Sequence, residues 1–260
     1  MRQVISLETT RPAVDLEVVI PAHNERDRLT TSLVEITGYL AAQPYRSAVV
    51  VVDNGSTDGT PDVVTAFRSP VVPVHLVSCR DIGKGAAVRH GVLTSSATYV
   101  GFSDADLATP IESLDNVMPL LHYGCKIVIA SRHVDGAAVV HRQPMLRRLG
   151  GWVFHKWASM VVPGVSDTQC GFKFFDRAAV EDIFRGGRLV GFAFDLELMA
   201  LAVRNHLSIA EVPVAWTHSG GSSFRIVRDG VHVLFEMVRL SKLLARTSDV
   251  SEAVPLHAGS

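Results

Sequence analysis

The chain has 260 residues and a mass of 28.1 kDa, which is enough for one large α/β domain or two small ones. Hydrophobic residues make up 47% of the sequence and charged residues 20%, a globular balance that excludes a mostly disordered chain. The formal net charge of -1 excludes a uniformly basic nucleic-acid-binding protein, and we expect no nucleic-acid partner.

The cysteines and the N-terminus bear on where the protein works. Cys79, Cys125 and Cys170 form no CxxC pair, which predicts a reducing, cytoplasmic location without disulfides or structural zinc. Residues 1–15 carry charges of both signs and lack the apolar core of a signal peptide, so we interpret them as an N-terminal extension. No window reaches the roughly 18 consecutive apolar residues of a membrane span, so we expect at most a surface contact with a bilayer.

The first half of the chain alternates short Val- and Ile-rich runs with segments of helical period, which predicts a mostly parallel sheet flanked by helices. The predicted strands are Leu16–Ile20, Ala48–Val52, Val74–Val77, Tyr99–Phe102 and Ile127–Ala130. The predicted helices are Arg28–Ala41, Gly59–Phe67, Gly85–Thr94 and Ile111–His122. Polar clusters follow these strands, and we expect several to meet at the carboxyl ends of the strands, where open α/β sheets bind ligands.

The pattern changes after Arg132. Helices are predicted at Arg147–Val161, Asp195–Asn205 and Val231–Arg246, and a strand at Leu207–Val214. We expect one domain over residues 16–246, whose first half (16–132) binds a ligand and whose second half (133–246) elaborates the site. Residues 247–260 are small and polar and are expected to form a flexible tail.

Polar clusters follow the first two predicted strands. The first is PAHNE at residues 21–25, in which Pro21 stops the strand ladder and Asn24 and Glu25 are offered at its end. A helix entry capped by Asn24 is the structural alternative. The second cluster is DNGSTDGT at residues 53–60, in which Asp53 could accept hydrogen bonds from a base or ribose. A capped strand-to-helix turn is the alternative there.

Two further clusters point to phosphate and metal chemistry. RDIGKGA, at residues 80–86, sets Lys84 between two glycines at a helix start and would present backbone N–H groups and an ammonium to a phosphate. SDAD, at residues 103–106, puts Asp104 and Asp106 on the same side of an extended segment. Two such close charges repel unless a cation neutralises them, which favours Mg²⁺ or Mn²⁺ over a solvated pair that caps the next helix.

The remaining clusters lie in the second half. The stretch from Lys126 to Lys156 carries six basic residues against one acid, which suggests an anionic ligand, although a solvated helix face explains single members equally well. DTQCGFK at residues 167–173 reads as a polar loop in an apolar region. FDLE at residues 194–197 places two carboxylates at a helix start, where the helix dipole alone explains Asp195.

Taken in chain order, the PAHNE, DNGSTDGT, GKG, DAD and Ser131-Arg132 motifs closely resemble those of the family 2 glycosyltransferases, which have the Rossmann-like GT-A fold. DTQCGFK and FDLE make the chain most similar to the dolichyl- or polyprenyl-phosphate sugar synthases, with the β-glucosyltransferases nearest and the mannosyltransferases next. The likeness runs from about Leu16 to Arg239. Asn54 departs from the family pattern, which often has a second aspartate there.

The resemblance implies a metal-dependent, inverting transfer of a hexose, with glucose favoured, to polyprenyl phosphate; the donor would be UDP-glucose or, less favoured, GDP-mannose. It implies nucleotide contacts at Pro21, Ala22, Glu25, Asp53, Lys84, Asp104 and Ala105, with Mg²⁺ or Mn²⁺ on Asp104 and Asp106. It implies catalytic roles for Asp195, Arg132 and Gln169, and acceptor contacts at Arg142, Arg147, Cys170, Gly171 and Glu197.

Two alternatives concern the acceptor. A lipid phosphate is already an anionic nucleophile and needs positioning, whereas a soluble natural-product or carbohydrate alcohol would need a general base, for which Asp195 is the first candidate. A lipid acceptor would also require docking by the apolar face of Val231–Arg246 at the inner face of the membrane. Packing of that face against the sheet is the simpler interpretation, and a homodimer contact is another. A non-catalytic binding module is disfavoured by the intact Asp104 and Asp106.

Overall fold

The structure is a computed structural model that describes residues 14–139, 157–191, 193–217 and 239–240. Its strands are β1 (Leu16–Ala22), β2 (Ser47–Asp53), β3 (Val74–Ser78), β4 (Tyr99–Ser103), β5 (Ile127–Ser131), β6 (Ala138–Val139), β7 (Phe172–Asp176), β8 (Ile209–Pro213) and β9 (Ala215–Trp216). Its helices are α1 (Arg26–Ala41), α2 (Thr60–Ala66), α3 (Lys84–Thr94), α4 (Leu114–His122), α5 (Arg177–Gly186) and α6 (Phe194–Arg204), and a 3-10 turn, Ile111–Ser113, precedes α4.

Seven strands form one twisted sheet in the order β3-β2-β1-β4-β7-β5-β8. β1 runs parallel to β2 and β4, β2 runs parallel to β3, and β5 runs parallel to β8. β7 alone is antiparallel to its neighbours, between β4 and β5. The short β6 and β9 pair separately. The mostly parallel α/β architecture expected from the alternating pattern is therefore confirmed.

Helices cover both faces of the sheet, which explains why its strands are apolar along their whole length. All seven residues of β2, SAVVVVD, are buried, as in a central strand with no solvent-facing side. On one face Val88, Ile183 and Leu196, from α3, α5 and α6, join the core. On the other face Leu33 and Leu114, from α1 and α4, do the same.

The elements predicted in the first half agree with the structure to within a few residues, as do the helix at Asp195–Asn205 and the strand at Leu207–Val214. Two elements, β7 and α5, were not predicted. DTQCGFK was interpreted as a loop, but its last two residues begin β7, where Lys173 lies in the middle of an aromatic run. A lysine in that place reads as a loop residue from sequence, whereas the structure buries it.

The other second-half predictions are less accessible. The predicted helices Arg147–Val161 and Val231–Arg246 lie mostly outside the described residues, as do most of the N-terminal extension and the whole tail. Within the described ranges no helix combines the length and the apolar character needed to cross a bilayer.

Candidate functional site

The first two polar clusters meet at the carboxyl edge of the sheet and are hydrogen-bonded to each other. The Asn24 amide oxygen accepts from the Thr57 backbone N–H at 2.8 Å, and the Asn24 N–H donates to Ser56 Oγ at 3.0 Å. The Glu25 N–H donates to Thr60 Oγ1 at 2.9 Å. Asn24 takes a left-handed conformation with φ of 57°, which asparagine tolerates well. The loops after β1 and β2 therefore form one ordered edge.

The residues expected to contact a nucleotide base and ribose lie along that edge. Ala22 and Asp53 are register partners at the ends of β1 and β2, and Pro21 lies one residue before Ala22. The Asp53 carboxylate accepts from the Ser56 N–H at 3.3 Å and is largely buried. Burial raises the pKa of Glu25; Arg28 opposes this, and the carboxylates of the SDAD motif add to it.

Asn54 holds the third cluster with both ends of its amide. Its Oδ1 accepts from the Gly83 N–H at 2.7 Å, and its Nδ2 donates to the Asp81 carbonyl at 2.7 Å. The side chain is buried, so both bonds are shielded from water. An aspartate could accept from Gly83 but could not donate to Asp81. This explains why the loop carries Asn54 in place of the acid that is common in similar sequences.

Lys84 reaches from the start of α3 to the SDAD motif. Its Nζ lies 2.6 Å from Asp104 Oδ1 and 5.7 Å from the centre of the Phe102 ring. Burial lowers the pKa of Lys84, but the carboxylates of Asp104 and Asp195 outweigh burial and raise that pKa to about 12. The ammonium is therefore charged at neutral pH.

The expected cradle of backbone N–H groups at this helix start is wrong for both glycines. The Gly83 N–H is bonded to Asn54, and the Gly85 N–H donates to the Val190 carbonyl at 2.8 Å. These donors are satisfied within the protein because two other loops lie against α3. The Lys84 ammonium is the group of this cluster that faces the aspartates.

Asp104 and Asp106 follow β4 at the same edge. The Asp104 N–H donates to the Gly171 carbonyl at 3.1 Å, and Asp106 Oδ1 accepts from the Ala108 N–H at 3.1 Å. The Asp104 side chain is 39% exposed. Ala105, between them, is buried, and its carbonyl accepts from Ser32 Oγ at 2.6 Å. This bond fixes the loop that carries both carboxylates.

The donor set fits a hard divalent cation. Both candidate ligands are carboxylates, which Mg²⁺ and Mn²⁺ prefer, and their negative field already contributes to the raised pKa of Glu25. No group of three or more His, Cys, Asp or Glu side chains suited to a metal occurs among the described residues. Two aspartates would therefore need oxygens from a bound ligand or water to complete six-fold coordination.

Gly171 brings the DTQCGFK loop against Asp104. A Cβ atom at position 171 would overlap the Asp104 carboxylate, so this approach requires glycine. Next to it, Cys170 is buried, its Sγ lies 3.5 Å from Thr109 Oγ1, and burial raises the pKa of its thiol. The Cys170 side chain is thus part of the core and is not offered to an acceptor. The Gln169 Nε2 is buried and has no hydrogen-bond partner among the described residues.

Arg132 anchors the other end of that loop. Its Nε and Nη2 donate to the two carboxylate oxygens of Asp167 at 2.7 and 2.9 Å, and its guanidinium lies 5.4 Å from the centre of the Trp216 ring. Burial raises the pKa of Asp167, but the Arg132 guanidinium outweighs burial and lowers that pKa to about 2. Two of the three guanidinium nitrogens of Arg132 thus contact Asp167 and the third is not so engaged.

Asp195 is buried in an ion pair that the sequence analysis missed. Its Oδ1 lies 2.5 Å from Nζ of Lys173, which also donates to the Cys170 carbonyl at 2.6 Å. Lys173 is fully buried and Asp195 is 3% exposed. Burial raises the pKa of Asp195, and Lys173 and Lys84 oppose this. A lone lysine between aromatic residues was the only sequence signal for this pair.

Glu197 also points inward. Its carboxylate accepts hydrogen bonds from the backbone N–H groups of Arg188 and Leu189, and the side chain is 6% exposed. The structure therefore places Glu197 away from the open edge where an acceptor would enter. Arg142 and Arg147, the other predicted acceptor contacts, lie outside the described residues.

Comparison with known proteins gives consistent matches. The family described as Glycosyl transferase family 2 matches residues 17–184. A dolichyl-phosphate beta-glucosyltransferase of Trichomonas vaginalis is 37% identical over 80% of this chain and 65% of its own length. The Dictyostelium discoideum protein of the same name is 32% identical over 86% of this chain and 73% of its own length. The chain thus spans about two thirds to three quarters of these relatives.

Solved structures share the fold at low sequence identity. Mannosyl-3-phosphoglycerate synthase from Rubrobacter xylanophilus superposes with a TM-score of 0.69 at 18% identity, over 95% of this chain and 79% of that one. Glucosyl-3-phosphoglycerate synthase from Mycobacterium tuberculosis, solved in complex with Mn²⁺ and UDP-glucose, superposes with a TM-score of 0.64 at 18% identity, over 87% of this chain and 79% of that one.

Proposed function

The chain belongs to glycosyl transferase family 2 and has the GT-A fold, and from that premise we propose that it transfers glucose from UDP-glucose to a polyprenyl phosphate, with Mg²⁺ or Mn²⁺ and with inversion at the anomeric carbon. The relatives above that are named for dolichyl phosphate and glucose support this choice of acceptor and sugar. UDP and Mn²⁺ are bound by the M. tuberculosis protein, which supports the donor and the metal by analogy of fold alone.

The observation that carries the proposal is the pairing of Lys84 with Asp104 at the carboxyl edge of the sheet. A nucleoside diphosphate bound with a divalent cation presents both a negative and a positive group. The Lys84 ammonium suits the diphosphate, and Asp104 with Asp106 suits the cation. The first two loops would then hold the base and ribose through Pro21, Ala22, Glu25 and Asp53, with Ala105 next to the diphosphate.

Asp104 and Asp106 would hold the metal ion, which when bound acts as a Lewis acid that neutralises charge on the departing nucleoside diphosphate. The side chains of this chain supply the remaining requirements, which are orientation and exclusion of water. Gly171 fixes where the Asp104 carboxylate lies, because its missing side chain allows the two segments to touch.

The state of Asp195 favours a phosphate over an alcohol as the acceptor. A general base must come within hydrogen-bond reach of the proton that it removes. Asp195 is buried, and its carboxylate is already paired with Lys173. A lipid phosphate needs no such base, since it is an anion that must be positioned and partly neutralised. The unpartnered Gln169 Nε2 and the third guanidinium nitrogen of Arg132 are donors suited to that task.

The test is a transfer assay with a short polyprenyl phosphate and labelled UDP-glucose or GDP-mannose in parallel, with Mn²⁺, Mg²⁺ or EDTA. We expect label in the organic phase from UDP-glucose only, its loss in EDTA, and a β-linked product by NMR. Lipid labelling from GDP-mannose alone would replace the donor. Donor binding or hydrolysis without any lipid labelling would point to the soluble acceptor.

We further propose that the protein acts in the cytoplasm as a peripheral membrane protein, since a polyprenyl phosphate resides in a bilayer. The segment Val231–Arg246, mostly outside the described residues, is the candidate contact with the membrane or with a second copy of the chain. Vesicle flotation with and without polyprenyl phosphate tests the first contact. Sedimentation velocity tests the second.

A further inference from the structure

Glu197 fastens the loop at residues 187–191 to α6. Its Oε2 accepts from the Leu189 N–H at 2.7 Å and from the Arg188 N–H at 2.9 Å, and its Oε1 lies 3.0 Å from the same Arg188 nitrogen. Arg89 Nη2 lies 4.0 Å away and adds charge compensation. Hydrogen bonds to a buried carboxylate are stronger than neutral ones, so this loop is held firmly.

The same loop lies directly on the start of α3. The Val190 carbonyl accepts from the Gly85 N–H at 2.8 Å, and the Leu189 carbonyl accepts from Arg89 Nη2 at 3.0 Å. A side chain at Gly83, whose φ is 131°, would overlap the Val190 carbonyl, and a Cβ at Gly85 would lie 2.5 Å from the Cβ of Phe194. The two glycines therefore serve close contact with this loop.

Lys84 lies between those two glycines. Asn54 holds the Gly83 side of Lys84, and the Val190 carbonyl holds the Gly85 side. With its backbone fixed on both sides, Lys84 extends to Asp104. The path from Glu197 to Lys84 is thus continuous: carboxylate, loop amides, Val190 carbonyl and Gly85 amide.

We propose that Glu197 is a positioning residue that acts through the 187–191 loop to fix Lys84 beside Asp104. This role replaces the acceptor contact that the sequence suggested for Glu197. It rests on the proposed function only where Lys84 is assigned to the diphosphate; the link between Glu197 and α3 rests on geometry alone.

The first test measures amide hydrogen exchange at Gly85 by NMR in the full chain. Glu197→Gln retains one acceptor oxygen and removes the charge, so we expect faster exchange at Gly85, by about tenfold for a loss in hydrogen bonding of this size. Glu181→Gln is the matched control, because Glu181 is a surface carboxylate that pairs only with Arg177 and Arg185 on its own helix. Equal exchange at Gly85 in the two variants would overturn the proposal.

The second test is a double-mutant cycle on UDP binding in Mn²⁺, measured by calorimetry. Glu197→Gln and Lys84→Met should each weaken binding about tenfold, and the double variant should bind no more weakly than Lys84→Met alone. A merely structural role for Glu197 would instead give additive losses, which would contradict the proposal. If the wild type bound neither UDP nor GDP, the proposed function would fail, while the exchange rates at Gly85 would still decide the role of Glu197.

Discussion

The loops of the first half and those of the second half are held in place by different chemistry. In residues 21–25, 53–60 and 81–85 the bonds come from uncharged or short side chains such as Asn24, Asn54 and Thr60. In residues 166–171 and 187–191 they come from buried charges: Arg132 with Asp167, Lys173 with Asp195, and the carboxylates of Glu197 and Glu211 on backbone amides.

The difference shows how a site can be assembled from unlike halves. Loops that directly follow parallel strands are short, and a few neutral hydrogen bonds order them. The loops of the second half lack that support, since β7 enters the sheet in the opposite direction. Buried ion pairs supply it, at the cost that losing one partner leaves an uncompensated charge. Substitutions in the second half should therefore be the more damaging.

The largest effect is expected for Lys173→Met. It leaves Asp195 buried without its partner, which should cost about 3–5 kcal/mol in the free energy of unfolding. Urea unfolding measures this. Lys126→Met, which breaks a partly exposed pair with Asp176, is the control and should cost less than about 1 kcal/mol. Equal losses in the two variants would contradict the contrast drawn between buried and exposed pairs.

Asp167→Asn is expected to come next and to depend on pH. The folded-state pKa of Asp167 is about 2, below its usual 3.8, so the paired carboxylate stabilises the fold above pH 3.8 and that stabilisation fades as the pH falls through 2. The shift corresponds to about 2 kcal/mol at neutral pH. Unfolding of wild type and variant between pH 7 and pH 2 should show a gap that narrows in acid. A constant gap would exclude this linkage.

Gly171→Ala should mainly affect the metal. The added methyl group would push the Asp104 carboxylate out of place, and we expect Mn²⁺ affinity in the presence of UDP to fall at least about tenfold, or about 1.4 kcal/mol. Gly38→Ala, in α1 with open space around it, is the matched control and should leave Mn²⁺ binding unchanged. Titration calorimetry would reveal either result, and unchanged affinity in Gly171→Ala would refute the close approach.

The smallest effect is expected in the first half, from Asn54→Asp. The variant keeps the acceptor for Gly83 but places a carboxylate oxygen against the Asp81 carbonyl, which should cost about 1–2 kcal/mol in unfolding free energy. Asn116→Asp, on the exposed side of α4, is the control. If Asn54→Asp proved as stable as wild type, the two-sided amide clamp would be wrong.

The sequence predicted the site in the first half more fully than in the second. PAHNE and DNGSTDGT follow adjacent parallel strands, so chain order alone predicts that they meet, and they do. The opposite outcome at Gly83 and Gly85 has a plain reason. Their N–H groups looked free from local sequence, but Asn54 and Val190, distant in sequence, bond to them.

The sequence by itself determined the alternation of strands and helices, the order of the polar loops and the family, because these depend on periodicity and on short motifs that are contiguous in the chain. The tertiary structure decided the rest. It inserts β7 between β4 and β5, which brings Gly171 to Asp104 and buries Lys173 against Asp195. Strand order and buried ion pairs join residues far apart in sequence, and local preference carries no record of such partners.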